Sequence, residues 1–126
     1  MTRDTFFTSH APAAIGPYSQ GIRAEGCFFF ISGQIPLKED GTLVTGSVQE
    51  QAEQVLHNLT SILTAAGLMV GNVVKTTVFL SSMEHFAAVN EVYAQVFKKD
   101  PPARSAVAVA ALPRGVDVEI EAIAVY

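Results

Sequence analysis

The stretch at residues 47–80, SVQEQAEQVLHNLTSILTAAGLMVGNVVKTTVFL, holds a helix followed by a strand and so decides the class of fold. Ser47 and Glu50 stand three residues apart, the spacing at which a hydroxyl and a carboxylate reciprocally cap the first turn of a helix. Val48, Ala52, Val55, Leu56, Leu59, Ile62, Leu63 and Ala66 then recur every three or four residues, lining one helical face with apolar side chains. Gly67 predicts the end of that helix. Residues 75–80 (KTTVFL) are β-branched and aromatic and read as a strand.

Working outward, Ser82 predicts the cap of a second helix with Phe86, Val89, Tyr93 and Val96 on one face, stopped by Asp100-Pro101-Pro102. Residues 104–112 and 116–125 read as two further strands around Pro113-Arg114-Gly115. Upstream, residues 21–24 and 27–32 read as a hairpin about Glu25-Gly26. The expected order is β-β-α-β-α-β-β: an α+β fold with two helices on one face of a mixed sheet. No repeat or linker divides the 126 residues, so residues 1–126 are expected to form a single domain.

The other face of that sheet lacks a cover. CFFFI (27–31) and AVAVAAL (106–112) are apolar at both alternating sets of positions, the pattern of strands buried on both sides. At roughly 25 cal/mol per Å², leaving them in water forfeits many kcal/mol. The loops at 11–21 and 33–46 are too short to cover them, so self-association through the sheet is expected.

With 49% hydrophobic and 16% charged residues, the composition excludes disorder. Its apolar runs fall far short of the ~18 residues that span a bilayer, and the first ten residues lack a signal-peptide core, so a cytoplasmic protein without membrane contact is expected. Cys27 is the single cysteine. A net charge of −4 gives no basic footprint and makes nucleic acid an unlikely partner.

Arg104 opens an otherwise uncharged strand, so its guanidinium should be partly buried and in need of a partner. Its fork suits a carboxylate, either from a protein acid in a salt bridge or from a bound acid. Asp117, Glu119 and Glu121 alternate with apolar residues and so share one strand face, which is either a solvated edge or the lining of a cleft. If the last two strands formed a hairpin about Arg114, Glu119 would lie roughly 16 Å from Arg104 at ~3.3 Å per residue, too far for a direct pair. They can meet only through another strand order or from separate subunits. Tyr18, in the loop GPYSQG, is a packing lid or a hydrogen-bond donor. Gly16 and Gly21 have the spacing of a phosphate loop, but Ile22 and Arg23 stand where Lys and Ser/Thr are needed. His10, His57 and His85 show no ligand spacing, so no metal is expected. Ser9, Ser32 and Cys27 lack an identifiable orienting set for covalent catalysis.

GPYSQG (16–21), ISGQIP (31–36), VVKTTVFL (73–80), FAAVNEVY (86–93), PPARSAV (101–107), ALPRG (111–115) and VEIEAIAV (118–125) together resemble the RidA (YjgF) family of reactive imine deaminases. The likeness covers residues 11–126 without a large insertion. It implies a chorismate-mutase-like fold with the last strand inserted between earlier ones, and a homotrimer whose sheets line its centre. It implies hydrolysis of 2-imino acids such as 2-iminopropanoate and 2-iminobutanoate to 2-oxo acids and ammonia, without a cofactor. In that pattern Arg104 would clamp the substrate carboxylate, helped by backbone around Gly33 and Ala106, and Glu119 would orient or deprotonate the water. Tyr18, Phe86 and Asn90 would close the pocket from the neighbouring subunit. Many members have cysteine where this chain has Ala106, so a thiol role is absent. Other relatives look like ribonucleases or translation inhibitors, and the same pocket could serve a regulatory module that binds a small carboxylate.

Overall fold

The computed structural model describes residues 2–126. Its elements are β1 (Thr2–Phe6), β2 (Gly21–Glu25), β3 (Phe28–Gln34), α1 (Val48–Ala65), β4 (Val73–Leu80), α2 (Phe86–Val96), β5 (Ala103–Ala108) and β6 (Val118–Val125). Ser47 and Glu50 form the expected capping box at the start of α1, and Gly67 takes a left-handed φ of 76° just past its end.

β3, β6, β4 and β5 form one sheet in that order. β6 runs antiparallel to both neighbours, while β4 and β5 are parallel and joined through α2. Val118, Ile120, Ala122 and Ala124 of β6 are buried in a core with Val55, Leu56, Leu59 and Leu63 of α1 and Val89 and Tyr93 of α2. The last strand is therefore inserted between earlier ones, in a single α+β sheet with both helices on one face.

One sequence expectation fails. β2 does not pair with β3; it pairs with β1, from Thr2↔Glu25 to Phe6↔Gly21, in a separate two-stranded sheet. The partition follows polarity: TRDTF and GIRAE are charged and pair with each other, whereas FFFISGQ gains an apolar central partner in β6. Gly26 makes this possible at φ 147°, because a Cβ there would strike the Tyr126 carbonyl. β5 and β6 are not a hairpin, in keeping with the inserted last strand, since β4 lies between them. The ladder of β5 gives out after the Val109 amide bonds Leu80 O at 2.9 Å, and Arg114 and Gly115 then turn the chain at positive φ.

The open face carries exposed apolar side chains, as the doubly apolar strands require, beside the acids of β6. Phe28, Phe30 and Val107 are 54%, 71% and 43% exposed.

Candidate functional site

Arg104 lies near the start of β5, one of the two edge strands, and its register against Thr76 of β4 places its side chain on the helix-covered side. There Nη1 donates to Asn90 Oδ1 at 2.5 Å. Three rings surround the guanidinium carbon, Tyr93 at 4.9 Å, Tyr18 at 5.4 Å and Phe86 at 5.5 Å from their centroids, all within cation–π range. Phe86, Asn90 and Tyr93 fall on one stripe of α2 because they are spaced i, i+4, i+7. Gly16 closes the cage from the loop at φ 119°; a Cβ there would sit 3.4 Å from Asn90 Nδ2 and 3.9 Å from Arg104 Nη2.

The loop that carries Tyr18 is tied down from both ends. Ser19 Oγ donates to Pro101 O at 2.5 Å, and the Ser19 amide donates to Pro102 O at 3.2 Å. Gln20 Nε2 donates to Pro12 O at 2.6 Å while its Oε1 accepts from the Thr8 amide at 2.7 Å. Tyr18 Oη accepts from the Ile15 amide at 3.3 Å.

No carboxylate neutralises this guanidinium. Among the described residues the one ion pair within 4.0 Å is His85 Nε2–Asp117 Oδ1, at 3.7 Å, so Arg104 has no salt bridge within its own chain. Burial lowers the Arg104 pKa from its ordinary value, an effect opposed by the Tyr93 and Tyr18 phenols, and the group stays charged at neutral pH. Beneath it Tyr93 is fully buried and shares a 2.6 Å hydrogen bond with Thr76 Oγ1. Burial pushes the Tyr93 phenol up to about 12, outweighing the Thr76 bond and the Arg104 charge. Because that pKa is raised on folding, the stabilisation is complete below the unfolded value of ~10 and is lost as pH climbs toward about 12.

Two residues along β5, Ala106 shares the side of Arg104 and packs against the core. The Val109 amide bonds to β4, so strand alternation turns the Ala106 amide to the unpaired edge. Arg104 thus stands beside a free backbone donor.

Glu119 is elsewhere. It pairs with Phe79 of β4, three residues beyond Thr76, which puts it on the open face of the sheet with Glu121 and Ile123. Its carboxylate lies against Gly33 so closely that any Cβ on Gly33 would overlap it. Gly33 sits where the β3–β6 register slips between Ile31 and Gln34, a bulge that brings backbone and carboxylate together. Asp117 does not join this acidic face: its carboxylate accepts from Gln51 Nε2 of α1 at 3.0 Å and from Ser81 Oγ at 2.8 Å.

One chain therefore holds the expected site residues in two separate clusters. Tyr18, Phe86, Asn90 and Ala106 gather on the side of Arg104 within one chain. Gly33 and Glu119 form the other cluster across the sheet. A cleft of about 610 Å³ borders Gly33, Gln34, Ile35, Lys38, His57 and Asn58, away from Arg104. No three His, Cys, Asp or Glu side chains among the described residues are grouped so as to hold a metal ion. Tyr93 is the residue that sequence reasoning left in the core; its i+7 spacing from Phe86 was the available signal.

The family model described as Endoribonuclease L-PSP matches residues 8–126. The chain is 54% identical over 126 residues to mouse 2-iminobutanoate/2-iminopropanoate deaminase, covering 99% of this chain and 93% of that one. It is 50% identical over 123 residues to a RutC family protein of Pyrococcus horikoshii, with 97% of each covered. The crystal structure of E. coli TdcF with bound serine superposes with a TM-score of 0.75 at 46% identity, covering 98% of each chain. With a motif set that runs in order from GPYSQG to VEIEAIAV and a family match over nearly its whole length, the chain belongs to the Endoribonuclease L-PSP family, the RidA (YjgF) family.

Proposed function

We propose that the protein hydrolyses reactive 2-imino acids, such as 2-iminopropanoate and 2-iminobutanoate, to 2-oxo acids and ammonia. The observation that carries this reading is the caged Arg104 guanidinium, which is half-buried, held by Asn90 and answered by no carboxylate of its own chain among the described residues. A charge held in that state has its strongest partner in a ligand carboxylate, bound through two parallel hydrogen bonds. The Ala106 amide at the strand edge adds a donor on the same side.

Hydrolysis then needs a water and a proton acceptor. Glu119 of a neighbouring copy orients the water and takes a proton as its oxygen adds to the C=N carbon. The nitrogen is protonated, and the resulting carbinolamine loses ammonia to leave the 2-oxo acid. An imine hydrolyses unaided in water, so placement and proton transfer are sufficient catalysis and no cofactor enters. The name of the mouse relative supports this substrate class.

The arrangement requires more than one copy, and a homotrimer closed by the exposed Phe28, Phe30 and Val107 is the proposed assembly. Light scattering at micromolar concentration is expected to give three times 13.4 kDa, unchanged in high salt because apolar contacts are not screened. A stable monomer would remove the shared site. The activity is tested by supplying threonine and a pyridoxal-phosphate dehydratase: 2-oxobutanoate should appear faster when this protein is added. An unchanged rate, with binding of a small 2-oxo acid retained, would favour a regulatory binding module; salt-dependent retention on an RNA matrix would favour a nuclease.

A further inference from the structure

We infer that Tyr93, tied to Thr76, is the positioning residue that sets the height and plane of the Arg104 fork. The inference rests on the reading that Arg104 binds the substrate carboxylate, and it adds a residue that neither the motifs nor the family match singles out. Of the three rings around the guanidinium, Tyr93 is the closest, at 4.9 Å, and the one that is wholly buried. Tyr18 belongs to a loop and Phe86 to the first turn of α2, both partly exposed. The Tyr93 ring is fixed at two further points. Its hydroxyl shares a 2.6 Å bond with the buried Thr76 hydroxyl, and its face packs on Phe97 at 4.6 Å between centroids. Thr76 is in turn the register partner of Arg104 on the neighbouring strand. A closed circuit results: β4 fixes Thr76, Thr76 fixes the ring, and the ring supports a guanidinium rooted one strand away.

Asn90 alone cannot do this. A single hydrogen bond to Nη1 leaves the fork free to swing about that contact, whereas a rigid π-face below it restricts both height and tilt. Guanidinium–ring attraction is strongest where water is excluded, as it is over Tyr93. The consequence is an arginine pre-set for two-point binding before any ligand arrives.

The test compares Tyr93→Phe, which keeps the ring, with Tyr93→Leu and Tyr93→Met, which do not. In ¹⁵N-labelled protein free of ligand, the Arg104 Nε–Hε resonance should be shifted upfield by the ring and slow to exchange. It should stay so in Tyr93→Phe and fall to solvent-like values in both ringless variants. In the imine assay the ringless variants should raise KM about 10- to 30-fold, with kcat within roughly 3-fold of wild type and assembly intact. Tyr93→Phe should restore KM to within about 3-fold of wild type. A ringless variant with unchanged KM and an unchanged Arg104 resonance would overturn the inference, as would a Tyr93→Phe variant as impaired as Tyr93→Leu. If the ringless variants do not fold, progressive ring fluorination of Tyr93→Phe keeps the shape while weakening the attraction. KM should then climb with each fluorine, and a flat series overturns the assignment. If wild type hydrolyses no imine, the proposed activity falls, and the Arg104 resonance in the same variants still decides the role of Tyr93.

Discussion

Arg104→Lys is expected to lower kcat/KM for imine hydrolysis by roughly 10- to 150-fold, the loss of a charge-assisted hydrogen bond worth ~1.5 to 3 kcal/mol. Lysine keeps the positive charge but replaces a planar fork by a point charge on a flexible stem, so it can hold one carboxylate oxygen at a time. It also loses the flat cation that fits between Tyr93, Tyr18 and Phe86, and it reaches Asn90 Oδ1 from a different direction. Arg104→Ala should lose more, because the cage is then empty of charge. If Arg104 were instead a structural support, both variants would lose thermal stability or assembly in step with activity, and a saturating small 2-oxo acid would leave the wild-type melting temperature unmoved. Activity, oligomer size and ligand-dependent melting measured on the same three proteins decide between these. A well-folded Arg104→Ala assembly with wild-type hydrolysis would refute the carboxylate clamp.

The parts of this molecule that local pattern dictates were legible in the sequence, and the parts that depend on long-range pairing were not. α1 could be read from Ser47 to Gly67 because its cap, its apolar stripe and its terminating glycine all lie within one segment. The exposed apolar face could be read because CFFFI is apolar at every position, whichever partner it takes. The pairing of β2 could not be read. GIRAE and FFFISGQ are adjacent in sequence with a glycine between them, which is also how a hairpin looks, and the polar partner of β2 lies fifteen or more residues upstream. Arg104 could be singled out as a lone charge on an apolar strand, but its lack of an acidic partner within the chain is a fact of three dimensions: Glu119 and Glu121 of β6 face the other side of the sheet. Tyr93 was hidden for a related reason, since a tyrosine on the buried stripe of a helix looks the same whether its neighbour is a leucine or a guanidinium.

Glu119→Gln should fold and assemble as wild type yet lose about 100-fold or more of its turnover, because an amide of the same shape cannot accept the proton that the attacking water gives up. The position tolerates the change sterically: the side chain is partly exposed on the open face and its backbone stays in the ladder opposite Phe79. Gly33→Ala supplies the complementary test. A methyl group at Gly33 would occupy the space of the Glu119 carboxylate, so the carboxylate must swing away although no protonatable group is removed. If Glu119 works by standing at one spot, this variant should lose turnover nearly as Glu119→Gln does, and Gly33→Ala/Glu119→Gln should be scarcely worse than either alone, since removing and misplacing one base are the same loss. Losses that multiply would show Gly33 acting separately, through its own backbone. Unchanged turnover in Glu119→Gln would demote Glu119 to a structural role and leave Glu121, next on the same face, as the acid to test.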